Sequence, residues 1–110
     1  MAAVSNLAID QGTTFTVTIT VTDDTGSARN LTNYTARSQM RKSYYTTANT
    51  AFTANLLSPT DGTITLDLTA TQTSALKAGR YVYDVELVSN TATVERIVEG
   101  IVTIYPEATK

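Results

Sequence analysis

Thr14-Phe-Thr-Val-Thr-Ile-Thr-Val-Thr22 decides the fold class. Phe15, Val17, Ile19 and Val21 alternate strictly with threonines, which is the two-residue period of a strand that buries one face and leaves the other open. Threonine suits the open face, because its β-branched stem fits a pleated surface while its hydroxyl stays compatible with water or a neighbouring subunit. Asp23-Asp-Thr-Gly26 then supplies turn chemistry.

Outward from this strand the same period recurs. Tyr34, Ala36, Ser38 and Met40 share one face of a second strand, and Thr35, Arg37, Gln39 and Arg41 make the other face cationic. A loop is expected at about 46–50 and a strand at about 52–57. Ser58-Pro-Thr-Asp-Gly62 is a strong turn signal, after which Ile64, Leu66 and Leu68 alternate again, so the two flanking strands should form a hairpin. Thr69-Ala-Thr-Gln72 has the spacing of a capping box. The run to Leu76 and Lys77 is therefore expected to make about two helical turns, ended by Gly79 in a left-handed conformation.

Arg80 launches the next strand, with Tyr81, Tyr83, Val85 and Leu87 on one face and Val82, Asp84, Glu86 and Val88 on the other. Ser89-Asn-Thr91 reads as a turn. In the last strand, Val94, Val98, Val102 and Ile104 fall on one parity and Ile97, Ile101 and Tyr105 on the other, which predicts a register-resetting bulge at Gly100. That strand is expected at a sheet edge, guarded by Arg96 and Glu99. About seven short strands with one short helical crossover predict a single all-β domain over residues 1–110, an antiparallel β-sandwich.

Composition narrows the chemistry. The 110 residues contain no cysteine and no histidine, so there is no thiolate nucleophile, no disulfide framework, and neither the commonest general base nor the commonest zinc ligand. A non-enzymatic protein without cofactor is expected. Eight basic against ten acidic residues give a net charge of -2, which offers no electrostatic footprint for nucleic acid or an anionic membrane. The first residues lack a basic and apolar leader, so a signal peptide is not expected. Asn30-Leu-Thr32 and Asn33-Tyr-Thr35 match the glycosylation pattern, which arises easily by chance in a threonine-rich chain.

Candidate sites are few. Asp23-Asp24 offers carboxylates in a turn, but the rest of a calcium-loop ligand series is missing. Asp84 and Glu86 form a carboxylate pair without a nucleophile or base partner. Arg37, Arg41 and Lys42 lie near Tyr44 and Tyr45, an arrangement able to stack on a nucleic-acid strand; pairing of Arg37 or Arg41 with Asp84 or Glu86 across strands accounts for both charge sets. Tyr44 and Tyr45, with Arg37 and Arg41, are the candidate interface residues, since tyrosine is enriched at protein contacts.

Read in order, QGTTFTVTITVTDDTG, RNLTNYTARSQMRKS, DGTITLDLTATQTSALKAGRYVYDVEL and VERIVEGIVTIYPEAT resemble the small immunoglobulin-like or baseplate-type domains of tailed-bacteriophage virion proteins. The chain is similar to the N-terminal domain of phage baseplate upper proteins and to short structural proteins of cyanobacterial phages. Leu31-Thr32, the segment from Ala78 to Asp84, and Glu99-Gly100 carry the resemblance. It implies an Ig-like sandwich acting as a tail, baseplate or capsid-decoration module in the virion. Its partners would be other virion proteins, met by multiple symmetric copies, with no nucleic acid and no membrane involved. The alternative expectation is a sandwich whose loops bind a carbohydrate or host receptor.

Overall fold

The alternation in the threonine-rich stretch places Phe15, Val17 and Ile19 against the core and Thr16, Thr18 and Thr20 in solvent. The computed structural model describes residues 3–23 and 25–108. Its strands are β1 (Ala3–Val4), β2 (Leu7–Asp10), β3 (Phe15–Thr20), β4 (Thr35–Arg41), β5 (Thr50–Ser58), β6 (Thr63–Leu68), β7 (Gly79–Val88) and β8 (Val94–Tyr105), with one short helix, α1 (Ala70–Ser74). The chain is all-β. The expected β5–β6 hairpin forms over a single 3-10 turn, Pro59–Asp61.

The strands follow one path, β1-β8-β7-β4-β5-β6-β3, with β2 also on β8. Strands β3 to β8 pair antiparallel, whereas β1 and β2 run parallel to β8. This corrects the expectation of an antiparallel sandwich: the architecture is one curled, mixed sheet. The reason is β5, whose residues 50–52 pair with β4 while residues 53–58 pair with β6. Because that strand continues through the bend, both layers belong to the same sheet. On the inner face Phe15 of β3, Phe52 of β5 and Tyr83 of β7 form a chain of rings with centroids 6.2 and 6.1 Å apart. Tilted and edge-on contacts of this kind favour the aromatic quadrupoles.

The capping box forms as expected: Thr69 Oγ1 accepts from the Gln72 amide at 3.2 Å, and Gln72 Oε1 accepts from the Thr69 amide at 2.8 Å. The helix ends at Ala75, short of Lys77. Two side-chain bonds hold it at this end. Thr73 Oγ1 donates to the Thr13 carbonyl at 2.7 Å, and Gln11 Nε2 donates to the Leu76 carbonyl at 2.7 Å, so the end of the helix is tied to the turn before β3, while Ala75 and Leu76 N–H close it with bonds to the Gln72 and Thr73 carbonyls. Gly79 has a φ of +135°, positive as expected, but it opens β7 opposite Ile104 and does not cap the helix.

The bulge lies elsewhere than expected. Val85 pairs with Val98 and Glu86 with Arg96, so Ile97 is the extra residue. Ile97 and Val98 are consequently both buried although adjacent, which is how β8 changes parity. Gly100 pairs regularly with Tyr83. Nor is β8 a bare edge, because β1 and β2 cover it in succession; Ile9 of β2 is fully buried.

Candidate assembly surface

Parity puts Arg37, Gln39 and Arg41 of β4 on the outer face beside Asp84 and Glu86 of β7, with Arg37 directly opposite Glu86 and Gln39 opposite Asp84. Arg37 Nε meets Glu86 Oε1 at 2.7 Å, the cross-strand pairing expected from the sequence. Asp84 instead meets Arg96 Nε at 3.3 Å, and Arg96 Nη1 also reaches Glu99 at 3.4 Å. Each of these groups is partly open to water, where such pairs add little stability but fix the pattern of charge.

Arg41 plays a different part. Its guanidinium donates to the carbonyls of Thr46 at 2.6 Å and Thr47 at 3.1 Å, and to Gln39 Oε1 at 3.0 Å. The turn is clipped further where Thr46 N–H donates to the Ser43 carbonyl at 3.2 Å and the Ser43 and Thr46 hydroxyls bond at 3.0 Å. Arg41 thus positions the turn that carries Tyr44 and Tyr45. Tyr45 is 97% exposed and Tyr44 55%. Tyr44 borders a shallow depression of about 420 Å³ with Arg41, Val82, Asp84, Glu86 and Arg96. Lys42 leaves this face and lies 4.7 Å above the Tyr81 ring, a cation–π contact.

Burial holds the Asp84 carboxyl above its ordinary range, with the charge of Glu86 adding to the effect and Arg96 and Arg41 only partly opposing it. A carboxylate raised on folding makes the native state bind a proton more readily than the unfolded chain, so its contribution to stability rises as pH falls through the folded value. The gain is complete below the ordinary value of 3.8. Asp84→Asn is therefore expected to compare best with the parent at neutral pH and to lose that advantage as the solution is acidified. Denaturant titrations of both proteins at matched pH check this; a difference in stability that stays flat across the acid range contradicts it.

Asp24 lies outside the described residues. Asp23 Oδ1 accepts from Thr25 Oγ1 at 2.6 Å, Thr25 N–H at 2.9 Å and Ser27 N–H at 3.1 Å; these bonds, the Thr25 hydroxyl first, lower its pKa. The carboxylate is therefore organised as a turn cap. Among the described residues no group of three or more acidic side chains is placed to hold a metal ion.

The most complete ion pair was not foreseen. Arg29 Nη1 and Nη2 each meet a Glu95 carboxylate oxygen at 2.9 Å, and the guanidinium lies 5.4 Å from the Tyr34 ring centroid. Arg29 holds the Glu95 carboxyl below its usual range. The pair borders a cleft of about 540 Å³ floored by Val21, Ile97 and Val98. Its partners are 66 residues apart, and no local motif announces them.

No protein-family model and no curated protein matches the chain. Among solved structures, it is similar to one chain of a structure described as the structural basis of T cell specificity and activation by the bacterial superantigen toxic shock syndrome toxin-1. The likeness has a TM-score of 0.46 and 18% identity, covering 92% of this chain and 93% of that one, a level that assigns no function.

Proposed function

We propose that this chain is a non-enzymatic structural module of a tailed-bacteriophage virion. In this reading it stands at the tail or baseplate, or on the capsid as a decoration, in several symmetric copies. The identity of the particle rests on the resemblance of the sequence segments to small sandwich-type virion domains. The mode of action rests on one observation: Tyr44 and Tyr45 are held out by a hydrogen-bonded turn. A pre-ordered turn loses little conformational entropy on docking, and tyrosine brings apolar area with a hydroxyl for the polar rim. Stable contacts bury about 1,200 to 2,000 Å² in total, more than one turn supplies. The adjoining ion-paired face of β4 and β7 would contribute the rest, its charges setting orientation.

The test replaces Tyr44 and Tyr45 by serine together. Both side chains are exposed, so folding stability should change by less than about 0.5 kcal/mol, while incorporation into particles should fall several-fold. Mass spectrometry of purified particles provides the count. Undiminished incorporation clears the tyrosines of the role, and absence of the wild-type chain from particles overturns the virion reading.

A further inference from the structure

The curled sheet ends on β3, which among the described residues pairs only with β6. Among the described residues no backbone hydrogen bond outside that ladder reaches residues 15–20. Every second residue of an edge strand turns its N–H and C=O outward, so β3 displays a row of unpaired backbone groups. Exposed edges are usually blunted by charge, proline, a bulge or shortness. None of these is present in Phe-Thr-Val-Thr-Ile-Thr, a straight six-residue strand without a register shift. The opposite edge of the sheet is made of two shorter strands, β1 of two residues and β2 of four, and β2 ends on the charged Asp10. On the inner face, Phe15, Val17 and Ile19 remain only half-buried; at the end of the strand Thr20 joins Ala3 and Val98 in the lining of the 540 Å³ cleft.

We propose that β3 is a pairing edge for a second copy of this chain, joined antiparallel about a two-fold axis at Thr18, so that Thr18 faces its copy and Val17 faces Ile19. The occupant is chosen by self-complementarity. In a two-fold contact each surface meets itself, so an edge carrying charge of one sign would repel its copy. Residues 15–20 carry none, and the nearest carboxylate in the adjoining strand, Asp67, accepts the Thr16 hydroxyl. Alternation completes the match. Directly opposed residues in an antiparallel pair point to the same side, so pairing threonine with threonine also sets Val17 and Ile19 of each copy on one continuous apolar face. Six residues span only about 20 Å, a small contact beside the roughly 1,200 Å² of a standard interface. The dimer should therefore be in equilibrium with monomer. This inference is independent of the virion reading and of Tyr44 and Tyr45.

Sedimentation of the full chain over a range of concentrations is expected to show reversible dimers. Thr18→Lys, which sets like charges across the axis on a solvent-facing position, should weaken dimerisation about tenfold or more, with unchanged thermal unfolding of the dilute monomer. The chain has no cysteine, so Thr18→Cys gives a single reporter for a short bismaleimide, and Asn90→Cys, exposed in the turn between β7 and β8, gives the rate of chance encounter. Faster cross-linking through position 18 than through position 90 supports the proposal. Equal or slower cross-linking, a chain monomeric at every concentration, or dimers indifferent to Thr18→Lys overturns it.

Discussion

Gly100→Ala is expected to lower stability by roughly 3 kcal/mol and to loosen the N-terminal strands from β8. A methyl group at this position would land on the carbonyl oxygen of Ser5, with the Ser5 carbonyl carbon 2.8 Å away and Asn6 Oδ1 3.1 Å away. These atoms cannot retreat freely. Ser5 N–H donates to the Glu99 carbonyl at 2.9 Å, the Ser5 carbonyl accepts from the Tyr83 hydroxyl at 2.5 Å, and Asn6 Oδ1 accepts from Ile101 N–H at 3.0 Å. Moving the segment aside would strip the Tyr83 hydroxyl of its partner inside the core, where its burial already raises its pKa. Overpacking costs about 1 to 3 kcal/mol, and an orphaned buried hydroxyl about as much again. Tyr83→Phe separates the two effects, because it removes the hydroxyl without crowding the backbone. Denaturant titration measures the loss, and amide exchange locates it: protection should fall in β2 first. If Gly100→Ala unfolds at the parent's denaturant midpoint, the close approach of Ser5 does not constrain the fold.

That glycine also marks where sequence reasoning reached its limit. Strict alternation is a local signal, so β3, β6 and the inward face of β7 were legible from residues 15–20, 63–68 and 81–87, as were the capping box at Thr69 and the turn at Pro59. A change of parity near a glycine points by default to a bulge at that glycine. The extra residue is Ile97, and Gly100 instead admits a backbone that arrives from the other end of the chain. Parallel pairing of β1 and β2 is non-local in the same way; Leu7 and Ile9 alone form too short a pattern to announce a strand. The single curled sheet is hidden for a related reason, since nothing in residues 50–58 shows that one strand serves both layers. On the candidate surface, parity places Arg37 and Glu86 on the outer face. The bonding of Arg41 to the turn and the pairing of Arg29 with Glu95 depend on loop geometry that periodicity does not encode.

Leu66→Ala is expected to have the other large effect, a loss of about 2 to 5 kcal/mol, against a total of about 5 to 15 for a domain of this kind. Leu66 is fully buried at the middle of β6, opposite Val17 of β3 on one side and Ala54 of β5 on the other. The cost of such a truncation depends on whether neighbours can collapse into the space. Here they cannot easily do so. Val17 and Ala54 have short side chains on strands held in register with β6, and the residues across the curl are fixed by their own ladders, so much of the cavity should persist. The loss should therefore fall in the upper part of the range. Val17→Ala provides the internal comparison, because its side chain is only half-buried on the open edge and should cost clearly less in the monomer. The two variants also connect the core to the edge: if a second copy covers β3, the penalty at Val17 should grow as protein concentration rises, whereas the penalty at Leu66 should not. Chemical denaturation at two protein concentrations distinguishes these behaviours. Equal losses for both residues at both concentrations would show that the curled layer is no better closed at β6 than at its rim, contradicting the packing from which the edge is defined.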